Sequence, residues 1–346
     1  NCGMACQFNS NELAPMDQLD SYIQDALDLI EFANGPVTSP WGKRRTELGH
    51  PAPFNVRMLG IGNEQWGTNY LPRLDRFISA LRPRYPELRL IGSVGLEPAG
   101  PMFDFMVRNL RERKIEIIDE HSYNAPAWFY AQANRYNDYP RGISRVFVGE
   151  YGAQTAGIAR PDNRNTWECA LSEAAFMTGF ERNPDVVEMS AYAPLFGHTD
   201  AWQWTPNLIW FDNLRVYGTP NYYVQQAFAR NRGTTAVPVT IDGSTRNGEN
   251  NLYVSAGIDD ASGEVILKIV NASSATRTLQ IDLLGARKVG LEGRAIVVAH
   301  PDLNAMNGLD TPLHVCPTTA VFPLSGPSFE HGVAGYSLNV LRIAYK

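Results

Sequence analysis

The chain has 346 residues, with 30 Lys and Arg against 36 Asp and Glu for a formal net charge of −6, and 44% of it is apolar. That composition is globular rather than disordered, no window approaches the roughly 18 unbroken apolar residues of a membrane span, and the lack of any Lys/Arg block argues against a nucleic-acid partner. The length exceeds that of most single cores, so two domains, or a barrel with an appendage, are expected.

Up to about residue 230, short apolar runs alternate with amphipathic stretches. Met16, Leu19, Tyr22, Ile23, Ala26, Leu27 and Ile30 recur at helical spacing until Gly35-Pro36 stops the helix. A strand is predicted over 57–64, then a helical face of Leu71, Leu74, Phe77, Ile78 and Leu81 ended by Pro83, then a strand over 88–95. The pattern repeats: helix 101–113 leads to strand 116–123, helix 126–139 to strand 145–152 and helix 165–182 to strand 186–196, and helix 221–230 closes the series. Nearly all-apolar strands at spacings of about 30 residues predict parallel βα units with both sheet faces covered, as in a βα barrel.

Past Thr234 the grammar changes. Strands predicted over 251–258, 264–271, 277–284, 294–299 and 336–345 are broken by Asp-Gly, Asn-Gly and Ser-Gly turns. Alternation of Val265, Leu267 and Ile269 with outward neighbours predicts a half-buried antiparallel sheet. The expected organisation is therefore a barrel domain over 1–233 followed by a C-terminal antiparallel β-sandwich of jelly-roll type over 234–346.

Two predicted strands finish in a carboxylate, the first in Asn63-Glu64 and another in Glu150. Strand C-termini of a βα barrel line the mouth where ligands bind, so a pair of glutamates there suggests chemistry where one alone suggests a helix cap or ion pair. Glycoside hydrolysis needs such a pair, one as proton donor to the leaving oxygen and one as nucleophile or base. Asn63 beside the first glutamate is placed to bond a sugar hydroxyl. Asp119-Glu120-His121-Ser122-Tyr123-Asn124 ends the intervening strand with His121 and Tyr123 on one side by period 2, where they can orient or ionise a carboxylate. Trp66, Trp128, Trp202, Trp204 and Trp210 fall on predicted loops after strands, the placement of sugar-stacking platforms. Neither the histidines nor Cys2, Cys6, Cys169 and Cys316 show ligand spacing, so no metal and no cofactor are expected.

Gly49-His50-Pro51-Ala52-Pro53-Phe54, Gly60-Ile61-Gly62-Asn63-Glu64-Gln65-Trp66-Gly67, His121-Ser122-Tyr123, Gly149-Glu150-Tyr151 and Tyr217-Gly218-Thr219-Pro220-Asn221-Tyr222-Tyr223 with Gln225 together resemble the α-L-arabinofuranosidases of glycoside hydrolase family 51. The run from Gly35-Pro36-Val37-Thr38-Ser39 to Gly67 is the most specific part, and Ser337-Leu338-Asn339-Val340-Leu341-Arg342 resembles the closing sandwich strand. The resemblance implies a retaining mechanism with Glu64 as acid/base, Asn63 as its substrate-binding neighbour and Glu150 as nucleophile. It further implies that His121 and Tyr123 are pocket residues after the sixth barrel strand, and that Trp204, or Gln203 one place off, is a contact after the eighth.

On that alignment Asn1-Cys2-Gly3 falls at the end of the third barrel strand, so the chain is expected to lack the first strands and to be inactive alone. The expected partner is an arabinose-containing polysaccharide or oligosaccharide, a homo-oligomer is compatible with the sequence, and an extracellular or periplasmic location is the working expectation with no targeting segment in the chain. Two alternatives stand beside this reading: a related two-glutamate barrel hydrolase such as an endoglucanase or β-xylosidase, and a non-catalytic carbohydrate-binding remnant.

Overall fold

The computed structural model describes residues 12–345; the predicted strand tip at Asn1-Cys2-Gly3 and the thiols of Cys2 and Cys6 lie outside them. In chain order the first elements are α1 (Leu19–Asn34), α2 (Pro40–Glu47), β1 (Met58–Ile61), α3 (Gly67–Leu81), β2 (Arg89–Ser93), α4 (Pro101–Glu112), β3 (Ile117–Asn124), α5 (Pro126–Ala131), β4 (Arg145–Ala153), α6 (Trp167–Arg182) and β5 (Val187–Tyr192). The five strands form one sheet in sequential order, with β1 parallel to β2 and β2 parallel to β3. This is the βα repeat that the strand spacing predicted. No helix among the described residues is long and apolar enough to cross a membrane.

The chain divides into two compact units. The first runs through the described residues to Ser122 and includes Arg141–Gly149 and Glu188–Ser190. Its core gathers Leu19, Ile23, Ala26 and Ile30 from α1, Leu59 and Ile61 from β1, Leu74 and Phe77 from α3 and Leu110 from α4; those of α1 and α3 are positions that the 3.6-residue period singles out. At the N-terminal ends of the strands, Glu188 bridges Arg89 and Arg145, each at 2.9 Å. The helix α2 has no apolar period and was not predicted. Ser39 caps it, accepting from the Gly42 N–H, and Pro40 occupies its first turn. Its Arg45 is fully buried and donates to the carbonyls of Phe32, His50 and Pro51, so it holds the chain that leads to β1.

The second unit comprises Tyr123–Pro140, Glu150–Val187 and the chain from Ala191 onward. The helix predicted over 126–139 breaks after Ala131 and resumes only as a 3-10 turn over Arg135–Asp138. Asn134 lies in the break, and its side chain bonds both the N–H and the carbonyl of Asn247, a competing use of backbone-mimicking amide groups. The strand predicted to run to Phe196 stops at Tyr192, ahead of Pro194. A small sheet of β6 (Phe196–His198), β7 (Ile209–Phe211) and β8 (Val216–Gly218) follows, then α7 (Pro220–Arg230).

Beyond α7 come β9 (Thr235–Val237), β10 (Leu252–Asp259), β11 (Glu264–Asn271), β12 (Arg277–Asp282), β13 (Glu292–Ala299), β14 (Thr318–Pro323), β15 (Ser328–Val333) and β16 (Ser337–Ala344). Six of them form an antiparallel sheet in the order β14-β13-β16-β11-β10-β9, while β12 pairs with β15. Ile281, Phe329 and Val333 from that pair share one core with Val254, Leu267, Ile269 and Leu341 from the larger sheet. The half-buried alternation expected of β11 is overturned, because every residue from Ile266 to Asn271 is buried. The second face packs on α6: Lys268 reaches through to Glu181 Oε1 at 2.5 Å and to the Asn231 carbonyl at 2.6 Å.

Candidate active site

The loop after β1 carries the first glutamate. β1 ends at Ile61, three residues earlier than predicted, and Gly62, Asn63 and Glu64 form a bend. Gly62 has φ +81°, and a Cβ there would stand 2.3 Å from Gln65 Oε1. The space that glycine leaves is filled by the buried Gln65 amide, whose oxygen accepts from the Asn63 N–H. Glu64 itself has φ +57°, a left-handed conformation uncommon outside glycine and one that concentrates at functional sites. Tyr70 from α3 braces the bend by donating to the Ile61 carbonyl at 2.6 Å and accepting from the Ser93 N–H. Burial raises the Tyr70 hydroxyl pKa well above the usual tyrosine range, so it stays a donor.

Within the first unit, Glu64 Oε1 lies 2.9 Å from His121 Nδ1, and the other ring nitrogen of His121 lies 3.4 Å from Asp119 Oδ2. The His121 and Asp119 side chains are only 2% and 5% exposed, whereas Glu64 is one-fifth exposed. Within the second unit, Tyr123 Oη donates to Glu150 Oε2 at 2.7 Å. Further along β4, the Ala153 N–H donates to Glu173 Oε1 at 2.8 Å, and Tyr151 Oη donates to Gln225 Oε1 at 2.9 Å. Glu173 is fully buried on α6, and desolvation raises its carboxyl pKa from 4.5 to about 8.

Two models of the α-L-arabinofuranosidase type match the chain: the α-L-arabinofuranosidase 1 domain over residues 1–141 and the α-L-arabinofuranosidase C-terminal domain over 149–337. The chain belongs to the α-L-arabinofuranosidase family. It is 45% identical over 221 residues to the extracellular exo-α-L-arabinofuranosidase of Streptomyces chartreusis, a match that covers 64% of this chain and 26% of that protein. Identity to α-L-arabinofuranosidase A of Aspergillus kawachii is 31% over 345 residues, covering 98% of this chain and 51% of the relative. Among solved structures, an arabinose-bound family 51 α-L-arabinofuranosidase superposes with a TM-score of 0.86 at 30% identity, covering 97% of this chain and 53% of the other. The Thermotoga maritima enzyme, at 17% identity and a TM-score of 0.74, shares the fold. The chain thus spans about half or less of the length of these curated relatives. The structural neighbours and the curled parallel sheet fit a TIM barrel with a C-terminal domain.

Against that family membership the remaining site residues fall as follows. Asn63 is exposed in the bend beside Glu64. Trp66 precedes the first turn of α3, packs over Gly95 and walls a cavity of about 340 Å³ with Thr68, Asn69, Met102 and Phe105. Gln203 and Trp204 are exposed on the loop between β6 and β7. Two of the tryptophans expected on loops are packing residues instead: Trp128 lies in α5 edge-on to Phe129 and Phe176, and Trp210 is buried on β7. Sequence reasoning passed over Asp119, although its place two residues before His121 puts it on the same strand face, and it passed over Glu173, whose helical position gave no sign of a buried acid.

Proposed function

We propose that this chain carries the catalytic pair of a retaining α-L-arabinofuranosidase, which releases terminal α-L-arabinofuranosyl groups from the side chains of arabinan or arabinoxylan. Glu150 acts as nucleophile and Glu64 as acid/base. The observation that carries the reading is that each carboxylate has its own partner at the end of β3: His121 Nδ1 lies 2.9 Å from Glu64 in the first unit, and Tyr123 donates to Glu150 at 2.7 Å in the second. In the first step Glu150 attacks the anomeric carbon while Glu64 gives its proton to the departing oxygen, which leaves a glycosyl ester on Glu150 and Glu64 ionised. In the second, Glu64 takes a proton from water as the water oxygen attacks that carbon, which frees the Glu150 carboxylate and restores the acid.

Asn63, Trp66, Gln203 and Trp204 serve as sugar contacts in this reading, the first two flanking Glu64 and the others on a solvent-facing loop. The five described βα strands belong to the barrel domain over 1–233, and the two antiparallel sheets form a jelly-roll-like sandwich over 234–346. A panel of aryl glycosides on the intact enzyme tests the assignment. Turnover confined to the α-L-arabinofuranoside supports it, whereas preference for a xyloside or cellobioside transfers the same two glutamates to another barrel hydrolase. Saccharide binding without turnover of any member would leave a carbohydrate-binding remnant.

A further inference from the structure

Asp119, His121 and Glu64 form a file of three polar side chains in the first unit, two of them on alternate residues of β3. Asp119 is buried, and its Oδ1 has no hydrogen-bond partner among the described residues. A buried carboxylate oxygen left in that state is costly and calls for a reason. Room for it comes from Gly149, where a Cβ would stand 1.9 Å from Oδ1.

We propose that Asp119 is a positioning residue that fixes the proton of the acid/base: its carboxylate holds His121 as the Nε2–H tautomer, which leaves Nδ1 as an acceptor for the protonated form of Glu64. The inference rests on the acid/base role given to Glu64. Three proton arrangements are open to the file. With the proton on Nδ1, the Nε2 lone pair would face the Asp119 carboxylate at 3.4 Å, an electrostatic repulsion in a buried site. An imidazolium would favour the ionised form of Glu64, the wrong form for a group that must deliver a proton in the first step. With the proton on Nε2, both contacts are attractive, and the 2.9 Å approach of Nδ1 to Oε1 becomes a hydrogen bond donated by the Glu64 acid.

Ring 15N spectra of histidine-labelled protein test this directly, with the His121 signal among the six histidines assigned by its loss in His121→Gln. The expected spectrum at the pH of activity is that of a neutral Nε2–H imidazole, and in Asp119→Asn that tautomer preference is lost. The alkaline limb of kcat/KM for a substrate whose leaving group needs protonation should then move down by about one pH unit, with a smaller shift for an acidic aryl arabinofuranoside. An Nδ1–H ring or an imidazolium in the unsubstituted protein overturns the proposal, as does an Asp119→Asn variant with unmoved tautomer and profile. Should that variant not fold, the native spectrum decides alone. Because the spectrum needs no turnover, failure of the arabinofuranosidase reading would show in the glycoside panel and not in the tautomer.

Discussion

Glu64 sits in a backbone conformation that an L-residue adopts at a cost of order 1–3 kcal/mol, and the surroundings that impose it are local: Gly62 without a Cβ, the Gln65 amide in its place, and Tyr70 clamping the end of β1. Such a bend turns the carboxylate away from the strand direction and toward His121. If Glu150 is the nucleophile and Glu64 the proton donor, the two should fail differently when truncated. In the intact enzyme Glu150→Ala should lose turnover of every substrate, while Glu64→Ala should keep measurable rates on aryl arabinofuranosides with acidic leaving groups; steady-state kinetics across a leaving-group series reads the difference, and equal losses on both substrate types would count against these roles. Tyr123→Phe removes one hydrogen bond to a carboxylate, worth about 1.5–3 kcal/mol, so kcat should fall roughly ten- to a hundredfold. An unchanged kcat would make Tyr123 a packing residue. His121 and Tyr123 were legible in the sequence because a strand has a simple period and both lie at its C-terminal end. The bend at Glu64 was not, since nothing in Gly-Ile-Gly-Asn-Glu tells a strand that continues from one that stops at Ile61.

At the scale of elements, β4 and α6 are tied through the Ala153 N–H and the buried Glu173 carboxyl. Burial holds that carboxyl near pKa 8 against an ordinary 4.5, so between those values the folded protein binds a proton that the unfolded chain has released. Stability is therefore fullest below about pH 4.5 with respect to this group and declines as pH rises toward about 8, by a few kcal/mol in all. Glu173→Gln, which keeps an acceptor for Ala153 but cannot ionise, should flatten that decline; urea midpoints taken across the range measure it, and an identical slope in the variant would show Glu173 already ionised in the native state. Other elements show where sequence patterns stop. The helix α2 lacks apolar periodicity and is announced only by its Ser39-Pro40 cap, and the end of α5 is decided by Asn134 bonding Asn247, a partner more than a hundred residues away.

Over the whole molecule, β1, β2 and β4 were readable because they are apolar and mostly buried, as strands of a covered parallel sheet are, whereas β5 exposes Ser190 and Ala191. The antiparallel tail was harder. The strands β14 and β15 carry Thr, Pro and His where a pattern would be sought, and β11 looked half-exposed because Lys268 reads as a solvent residue. That lysine is 2% exposed, paired with Glu181, and lies over the Phe228 ring at 5.0 Å, so it joins the sheet to α6 and α7 within the second unit. Lys268→Ala should cost about 3 kcal/mol by leaving Glu181 with the Ser255 hydroxyl but without its cation, with Lys268→Met losing less; chemical denaturation of the two variants tests the order, and equal stability of Lys268→Ala and the unsubstituted protein would show the pair to be unimportant. The central claim is that Glu150 attacks an arabinofuranosyl carbon to form a covalent intermediate that Glu64 helps to make and break. Peptide mass spectrometry of Glu64→Ala protein incubated with an activated aryl α-L-arabinofuranoside tests it most directly. The account predicts a single pentosyl adduct on the peptide that contains Glu150; an adduct at any other residue, or release of inverted sugar with none, would contradict it.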